Sequence, residues 1–308
     1  MPRNTDAATV EDAAAALAEG RLAILPTETV YGLAADAANP AAVARLYEAK
    51  GRPRFNPLIA HVAGLDEAMG LAALDERALE LARAFWPGPL TLVSPSLGGV
   101  CDLARAGLDT LAVRAPAHPL AQAVLRAFGG PLAAPSANRS GRPSPTTLSD
   151  AIAETGSYAA AALDGGPCAI GLESTVVSLL DGPPRLLRPG AVTRGQIEAL
   201  IGPLAEAEAD ARRSPGRLTR HYAPAAPLRL DAVEARSGEA LIGFGGVGPA
   251  DLNLSPTGDL TEAAARLFST LRAADARGPA AIAVAPIPDE GLGEAINDRL
   301  RRAAGLVG

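Results

Sequence analysis

The sequence has little of what several protein classes require. Its 308 residues include two cysteines, Cys101 and Cys168, which are too few for a disulfide framework or a thiolate metal site. Aromatic residues make up 3% of the chain and offer few rings on which single-stranded nucleic acids stack. No apolar run approaches the length that crosses a bilayer. We therefore expect no membrane association.

An excess of positive charge is also missing. The net charge is −6, so no overall positive field attracts nucleic acid. The three histidines, His61, His118 and His221, are too dispersed to suggest a zinc site. The N-terminal stretch lacks the cationic start and apolar middle of a signal peptide. With 48% hydrophobic residues, the composition indicates a globular protein, which we expect in the cytoplasm.

What the sequence does contain is an alternation of short apolar runs and amphipathic segments. Patterns and caps predict helices over 10–19, 40–50, 75–86, 119–128, 147–155 and 193–201. A strand is expected within "RLAILPTETVYG", and further strands over 57–62, 90–95, 110–115, 131–134, 159–164, 174–180 and 185–188. This interleaving predicts an α/β domain with a twisted open sheet flanked by helices, over residues 1–202.

The character of the chain changes after this region. Residues 203–227 are charged, then basic and then proline-rich, a composition typical of a linker. Beyond it, two predicted helices alternate with three strand-like runs. We therefore predict a small Rossmann-like α/β domain over 228–308.

Two cations in "KGRPRFNPLIAHV" are candidates for anion binding. Lys50 and Arg52 flank Gly51 at the predicted end of a helix. If the backbone is extended there, both side chains face the same side of the chain. A guanidinium and an ammonium group together suit phosphate. A solvated helix C-terminus, where cations complement the helix dipole, is the alternative interpretation. Arg54 is expected to be a surface charge.

A second candidate segment is "PLAAPSANRSGRPSPTT", residues 131–147. Ser136 and Asn138 alternate directly after an apolar strand, and their short side chains can bind phosphate or hydroxyl groups. The alternative is an ordinary turn rich in Ser, Asn and Pro. The apolar strand before the segment places it at a sheet edge, where ligand sites of α/β proteins form.

Other strand-like runs also carry polar residues at their ends. These residues are Thr27, Thr29 and Tyr31 in "LPTETVYG", Arg114 in "TLAVRAP", Ser174 and Thr175 in "GLESTVV", and Arg188 in "RLLRPG". Arg114 suits a carboxylate, and small hydroxyl groups suit a polar substrate. Each alone is better explained as structural, but a sheet packed only for stability does not require so many.

Several common motifs are missing from the sequence. There is no P-loop, no H-E-x-x-H and no G-x-S-x-G. "GFGGVG", residues 243–248, matches a dinucleotide-binding pattern, which would suit a nicotinamide-dependent oxidoreductase. However, Pro249 and a polar stretch follow it instead of a helix. We interpret it as a glycine-rich turn.

Six motifs together resemble the threonylcarbamoyl-AMP synthase family, the YrdC-like enzymes of tRNA modification. In chain order they are "PTETVYGL", "KGRPRFNPL" followed by His61, "WPGPLTLV", "APSAN", "GLESTVV" and "LRPG". "SPGRLTRHYAP" and the small domain after it resemble the longer, two-domain branch of this family. The resemblance covers essentially the full chain and is strongest over the first 200 residues.

The resemblance implies a reaction and a set of site residues. L-threonine, bicarbonate and ATP, with Mg2+, would yield L-threonylcarbamoyl-AMP and pyrophosphate. The residues implied for catalysis are Lys50, Arg52, Ser136 and Asn138. Those implied for ATP binding are Arg52, Asn56, Thr110, Ser136, Ser144, Arg188 and Tyr222. Those implied for L-threonine are Thr29, His61, Arg114, Ala134 and Ser174, with Thr27 and Tyr31 as neighbours.

No side chain in these motifs stands out as a general base or nucleophile. We therefore expect catalysis by positioning and charge stabilisation, with the linker closing over the site to exclude water. The family implies a tRNA-modifying transferase as the partner that uses the product, and we expect at most weak direct binding of tRNA. The alternative function is a non-catalytic RNA-binding module of the same fold.

Overall fold

The computed structural model describes residues 8–180, 182–206, 221–247 and 252–306. The helices in these ranges are α1 Val10–Ala18, α2 Pro40–Lys50, α3 Leu65–Met69, α4 Glu76–Phe85, α5 Pro119–Phe128, α6 Leu148–Thr155, α7 Arg194–Ile201, α8 Leu260–Asp275 and α9 Leu292–Ala303. The first ten strands are β1 Leu22–Leu25, β2 Gly32–Asp36, β3 Ile59–His61, β4 Leu90–Pro95, β5 Thr110–Arg114, β6 Leu132–Ala133, β7 Ala159–Ala162, β8 Thr175–Ser178, β9 Arg185–Arg188 and β10 Ala205–Glu206. Four more follow: β11 Leu228–Arg229, β12 Glu239–Gly243, β13 Leu252–Asn253 and β14 Ala281–Val284.

The first ten strands form one mixed sheet in the order β10-β9-β8-β4-β5-β3-β6-β2-β1-β7. The pairs β1/β7, β3/β5, β4/β8 and β9/β10 are parallel, and the other five pairs are antiparallel. Buried alanine, valine and leucine side chains join the sheet to the helices, for example Leu33 of β2 with Val43 and Leu46 of α2. The predicted α/β class is confirmed.

Local signals explain where α2 begins and ends. The Asn39 side chain accepts hydrogen bonds from the backbone N–H groups of Ala41 and Ala42 at 2.9 and 3.2 Å, and Pro40 occupies the first turn. Gly51 ends the helix in the left-handed conformation, at φ 58°. The helix therefore spans the predicted residues and delivers Lys50 and Arg52 from a fixed turn.

The strand predicted within "RLAILPTETVYG" divides into two in the structure. β1 stops at Leu25 and β2 runs back antiparallel from Gly32. The Thr27 hydroxyl donates to the Val30 carbonyl at 2.6 Å and accepts from the Val30 N–H at 3.2 Å. These bonds close a turn, so residues 27–31 form a loop at the sheet edge instead of an extended strand end.

The remaining strands form a small parallel sheet in the order β11-β14-β12-β13. Helices α8 and α9 cover it with an apolar cluster that includes Leu267, Phe268 and Ile296. This arrangement confirms the predicted small Rossmann-like α/β unit. The same cluster contains Val30 and Tyr222, so the core of the small unit reaches the loop between β1 and β2.

The glycine-rich pattern of residues 243–248 forms a turn as far as it is described. β12 ends at Gly243 and a turn follows at Gly245 and Gly246, which confirms the expected turn for these residues. Gly248 and Pro249 lie outside the described residues. No helix within the described ranges is long and apolar enough to cross a bilayer.

The predicted linker, residues 203–227, is described at its two ends only. β10 pairs with β9 at the start of the segment, and the chain continues from His221 to β11. Residues 207–220 lie outside the described residues. The domain limits given above therefore stay predictions.

Candidate active site

A cavity lies where several strands of the large sheet end. Its empty space measures about 570 Å³ when the open solvent at its mouth is included. Its walls are the β1–β2 loop, the ends of β3, β5 and β9, the residues after β6 and before β8, and residues 221–222. Because β8 and β9 are antiparallel, the start of β8 and the end of β9 lie at the same edge.

Many of the residues predicted for the site lie around this cavity. The lining includes Thr29, Arg52, His61, Arg114, Ala134, Ser136, Ser174, Arg188 and Tyr222. Thr27 lines it as well. The predicted residues outside the lining are Lys50, Asn56, Thr110, Asn138 and Ser144. Segments from residue 27 to residue 222 thus converge on one place.

Lys50 and Arg52 are buried, with exposed fractions of 3% and 8%, and both bind backbone carbonyl groups. Lys50 Nζ donates to the carbonyls of Ser136 and Asn138. Arg52 donates through Nε to the Asn56 carbonyl at 3.2 Å and through Nη2 to the Pro57 carbonyl at 3.0 Å. The structure therefore places Lys50 against the 136–138 segment and Arg52 against the 56–57 turn.

The expected extended geometry around Gly51 is wrong, because Gly51 adopts the left-handed helix cap. Burial lowers the pKa of Lys50 well below its ordinary value, and the neighbouring Arg52 charge adds to this. Burial also lowers the pKa of Arg52 to about 10. With a pKa of about 10, Arg52 keeps its charge at neutral pH, whereas burial works against the charged form of Lys50.

The predicted nucleotide residues outside the lining have defined positions. The Asn138 amide donates to the carbonyls of Arg139 and Arg142 at 2.7 and 2.9 Å and holds that turn. Ser144 is fully buried and donates to Glu173. Thr110 begins β5, on the same face of the strand as Arg114 and roughly 13 Å from it. The Asn56 carbonyl accepts from Arg52.

Arg114 stands at the end of β5 in a dense hydrogen-bond network. Nε donates to the Gly88 carbonyl at 3.0 Å and Nη1 to the Thr29 hydroxyl at 3.0 Å. Nη2 pairs with Glu28 Oε1 at 2.5 Å. Burial opposes ionisation of Glu28, but Arg114 outweighs it and holds the Glu28 pKa below its ordinary value. The guanidinium is thereby fixed at the cavity wall.

His61 is a neutral side chain in this site. Burial and the Arg114 charge lower its pKa to about 3. Nδ1 lies 3.2 Å from the Ile59 carbonyl, so we place the proton on Nδ1. The Nε2 atom is then a hydrogen-bond acceptor.

Ser174, directly before β8, and Arg188, the last residue of β9, form a pair. Arg188 donates through Nε to the Ser174 carbonyl at 3.0 Å and through Nη2 to the Ser174 hydroxyl at 3.1 Å. The same hydroxyl lies 2.7 Å from the Thr91 hydroxyl. A guanidinium and a hydroxyl group are therefore presented side by side.

Tyr222 is buried against the cavity in an unusual backbone conformation, at φ 63°. Its ring meets the His221 ring edge-on at 4.0 Å between centroids. Burial lowers the pKa of His221 well below its ordinary value. The described end of the predicted lid thus adds two aromatic side chains to the wall.

Several buried polar atoms at this site have no hydrogen-bond partner within the described residues. They are Glu28 Oε2, Asn138 Oδ1, His221 Nδ1 and the Tyr222 hydroxyl. Buried polar groups in proteins are nearly always satisfied. Two of these atoms, on His221 and Tyr222, belong to residues that line the cavity, where a polar ligand can pair with them.

Two neighbouring expectations have clear outcomes. Tyr31 does not line the cavity, because its hydroxyl donates to the Gly166 carbonyl at 2.8 Å and to Asp164 at 3.2 Å. Arg54 is exposed, as expected. Within the described residues, no group of three or more His, Cys, Asp or Glu side chains is placed to hold a metal ion.

Sequence reasoning missed Glu173 and His221, which line the cavity. It also missed Glu28 and Arg299, which form ion pairs with the lining residues Arg114 and Glu173. Glu28 and Glu173 stand inside the motifs quoted above, where a charged residue at the end of an apolar strand is a usable signal. Arg299 lies in a helix with other arginines nearby, so nothing local distinguishes it.

Comparisons with known proteins agree with this geometry. The Sua5/YciO/YrdC family model, described as "Telomere recombination", matches residues 15–190. The model described as "Threonylcarbamoyl-AMP synthase, C-terminal domain" matches residues 192–305. The chain is 42% identical to the threonylcarbamoyl-AMP synthase of Bacillus subtilis and 41% identical to that of Pyrococcus abyssi. These alignments cover 96% and 95% of this chain and 93% of each relative.

A solved structure extends the likeness to three dimensions. The crystal structure of Pyrococcus abyssi Sua5 complexed with L-threonine superposes with a TM-score of 0.90 at 39% identity. The superposition covers 96% of this chain and 94% of that one. The chain belongs to the threonylcarbamoyl-AMP synthase family.

Proposed function

We propose that this chain is a threonylcarbamoyl-AMP synthase that makes L-threonylcarbamoyl-AMP and pyrophosphate from L-threonine, bicarbonate and ATP. The observation that carries the proposal is one cavity that combines three buried arginines with small hydroxyl side chains. The arginines are Arg52, Arg114 and Arg188. Anionic groups with several oxygen atoms suit guanidinium groups, and both ATP and threonine carry such groups.

The cavity divides into two parts by chemistry. Arg114, Thr29, His61, Ser174 and the Ala134 backbone form the threonine part, where Arg114 suits the carboxylate. Arg52, Ser136 and Arg188 form the phosphate part, supported by Lys50 and Asn138. Asn56, Thr110, Ser144 and Tyr222 extend the nucleotide part beyond the phosphates. The unpartnered polar atoms noted above lie beside both parts.

The reaction needs correct placement of its reactants more than a reactive side chain. The free amine of threonine adds to carbon dioxide, supplied by dehydration of bicarbonate, and a carbamate forms as one proton leaves. A carbamate oxygen then attacks the α-phosphorus of ATP, and the bond to the pyrophosphate oxygen breaks. Arg52, Lys50 and Arg188 offset the negative charge that develops. The neutral Nε2 of His61 can accept a hydrogen bond from the threonine amine or hydroxyl group.

Magnesium enters this scheme as part of the MgATP substrate. Among the described residues that line the cavity, Glu173 is the one with a carboxylate group. Its two oxygen atoms already accept hydrogen bonds from Ser144 and Arg299. The ion would therefore rely on phosphate oxygens and water. The mixed anhydride product hydrolyses readily, which suits transfer to a separate tRNA-modifying transferase in the cytoplasm.

An RNA-binding module is less well supported. Lys50 and Arg52, the cations that would contact an RNA backbone, are buried. Phosphate contacts in such modules need accessible cations.

Pyrophosphate release, measured with and without threonine and bicarbonate, tests the proposal. We expect release to depend on both. Arg52→Ala should lower turnover by about 100-fold, because it removes a charge aimed at the phosphates. Arg54→Ala, two residues away and exposed, is the matched control and should stay within about twofold. Release that ignores threonine, or an active Arg52→Ala protein, would refute the assignment.

A further inference from the structure

Arg299 is the largest fully buried side chain in the described part of the chain. It belongs to α9 in the C-terminal unit, yet most of its contacts lie outside that unit. Nε donates to Glu173 Oε2 at 2.9 Å, and Nη2 donates to the Pro189 carbonyl at 3.0 Å. Nη1 donates to Asp298 at 2.7 Å. The guanidinium also lies over the Tyr222 ring, 5.2 Å from its centroid.

Three of these partners, Glu173, Tyr222 and Pro189, adjoin the nucleotide part of the cavity. Glu173 and Tyr222 line it. Pro189 follows Arg188, which also lines it. Glu173 in turn accepts the hydrogen bond of Ser144. One side chain from the C-terminal unit thus joins the start of β8, the end of β9 and the end of the linker.

Arg299 compensates the buried negative charge of Glu173. It is a buried carboxylate in the wall of a cavity that must accept a triphosphate, and like charges in a medium of low polarity repel strongly. Burial opposes its ionisation, but Arg299, Arg188 and the Ser144 hydroxyl outweigh it and hold the Glu173 pKa below its ordinary value. The carboxylate is therefore ionised and needs its counter-charge.

We propose that Arg299 is a positioning residue of the nucleotide site, through which the C-terminal unit completes that site. Arg299 neutralises Glu173 and anchors the turn that carries Arg188, so that the cavity accepts the triphosphate of ATP. This inference rests on the proposed function, because it takes ATP as the ligand. It gives the C-terminal unit a defined electrostatic part in nucleotide binding.

Arg299→Met tests the inference in the full-length protein, with ATP and L-threonine affinities measured separately by calorimetry. Removing one partner of a buried, hydrogen-bonded pair leaves the other charge uncompensated. We expect ATP affinity to fall by roughly 30-fold, while L-threonine affinity stays within about threefold. Arg299→Lys, which keeps the charge and loses the planar fork, should lose less.

The decisive variant is Arg299→Met combined with Glu173→Gln. If uncompensated charge is the cause, removing the carboxylate should return ATP affinity to within about fivefold of wild type. Arg194→Met is the matched control. It breaks an ion pair of 2.9 Å to Glu294, which also joins the first unit to α9 but lies outside the cavity lining. It should leave ATP affinity unchanged.

Any one of three results would overturn the inference. The first is an ATP affinity in Arg299→Met equal to that of wild type. The second is a double variant that binds ATP no better than Arg299→Met alone, which is the result expected if Arg299 only joins the two units. Absence of ATP binding in wild type would also overturn it. Failure of the proposed function would give a different result. ATP affinity would still depend on Arg299, but pyrophosphate release would not depend on threonine.

Discussion

Burial changes the properties of single side chains in the cavity wall and next to it. Lys50, Arg52 and Arg114 are buried, and the first two bind carbonyl groups instead of carboxylates. Cations held in this way keep their capacity for an incoming anion. The sequence predicted these residues from their types and from the family resemblance. Their protonation could not be predicted, because it depends on burial that only the fold creates.

Lys50 should gain a proton when ATP binds. Burial lowers its pKa well below the ordinary value, and a triphosphate nearby would raise it again. Calorimetry at pH 8 in buffers of different ionisation enthalpy should report proton uptake by wild type. Lys50→Arg, always charged, should show less uptake, and equal uptake would contradict this account.

His61 should make the stability of the protein depend on pH. Its pKa in the folded protein is about 3, below its value of about 6.5 in the unfolded chain. The unfolded chain therefore binds the extra proton first, and stability falls as pH drops below about 6.5. The stability of wild type relative to His61→Gln should decrease by about 2 kcal/mol between pH 7 and pH 5. Urea unfolding measures this, and parallel pH profiles would exclude the assigned pKa.

Elements with clear end signals were predictable from the sequence. Asn39 and Gly51 fixed α2, and His118 with Gly129 fixed α5 at the predicted residues 119–128. β2 was missed, because the turn at Thr27 depends on side-chain to backbone hydrogen bonds that a strand pattern does not reveal. The short strands β10 and β13 were also missed, since two residues leave no periodic pattern.

The turn after β9 should tolerate no added side-chain atom at Gly190. A Cβ there would lie 2.4 Å from the Thr175 nitrogen and 2.7 Å from the Glu173 carbonyl oxygen, and backbone atoms cannot move away cheaply. Gly190→Ala should destabilise the protein by about 3 kcal/mol and weaken ATP binding by displacing Arg188. At Gly195, in α7, an added Cβ meets nothing within 4 Å. Gly195→Ala should therefore cause no loss, and equal unfolding midpoints would contradict the packing argument.

At the scale of the whole molecule, an acidic protein builds a cationic cavity from distant parts of its chain. Net charge and composition predicted a globular protein without a positive field that attracts nucleic acid, and the interleaved helix and strand patterns predicted the α/β class. They could not predict that Arg299 meets Glu173, 126 positions earlier. Arg272 and Glu154 form another such contact, 3.0 Å long, between α8 and α6. Contacts of this kind depend on how the two units dock, and no local pattern encodes them.

The central claim is that one cavity joins threonine, bicarbonate carbon and the adenylyl group of ATP. The most direct measurement is mass spectrometry of the adenylate formed from carbon-13 bicarbonate, L-threonine and MgATP, with pyrophosphate measured in the same reaction. We expect an L-threonylcarbamoyl-AMP that carries the label, in amounts equal to the pyrophosphate released. Pyrophosphate without a labelled adenylate, or an adenylate formed without threonine, would contradict the claim.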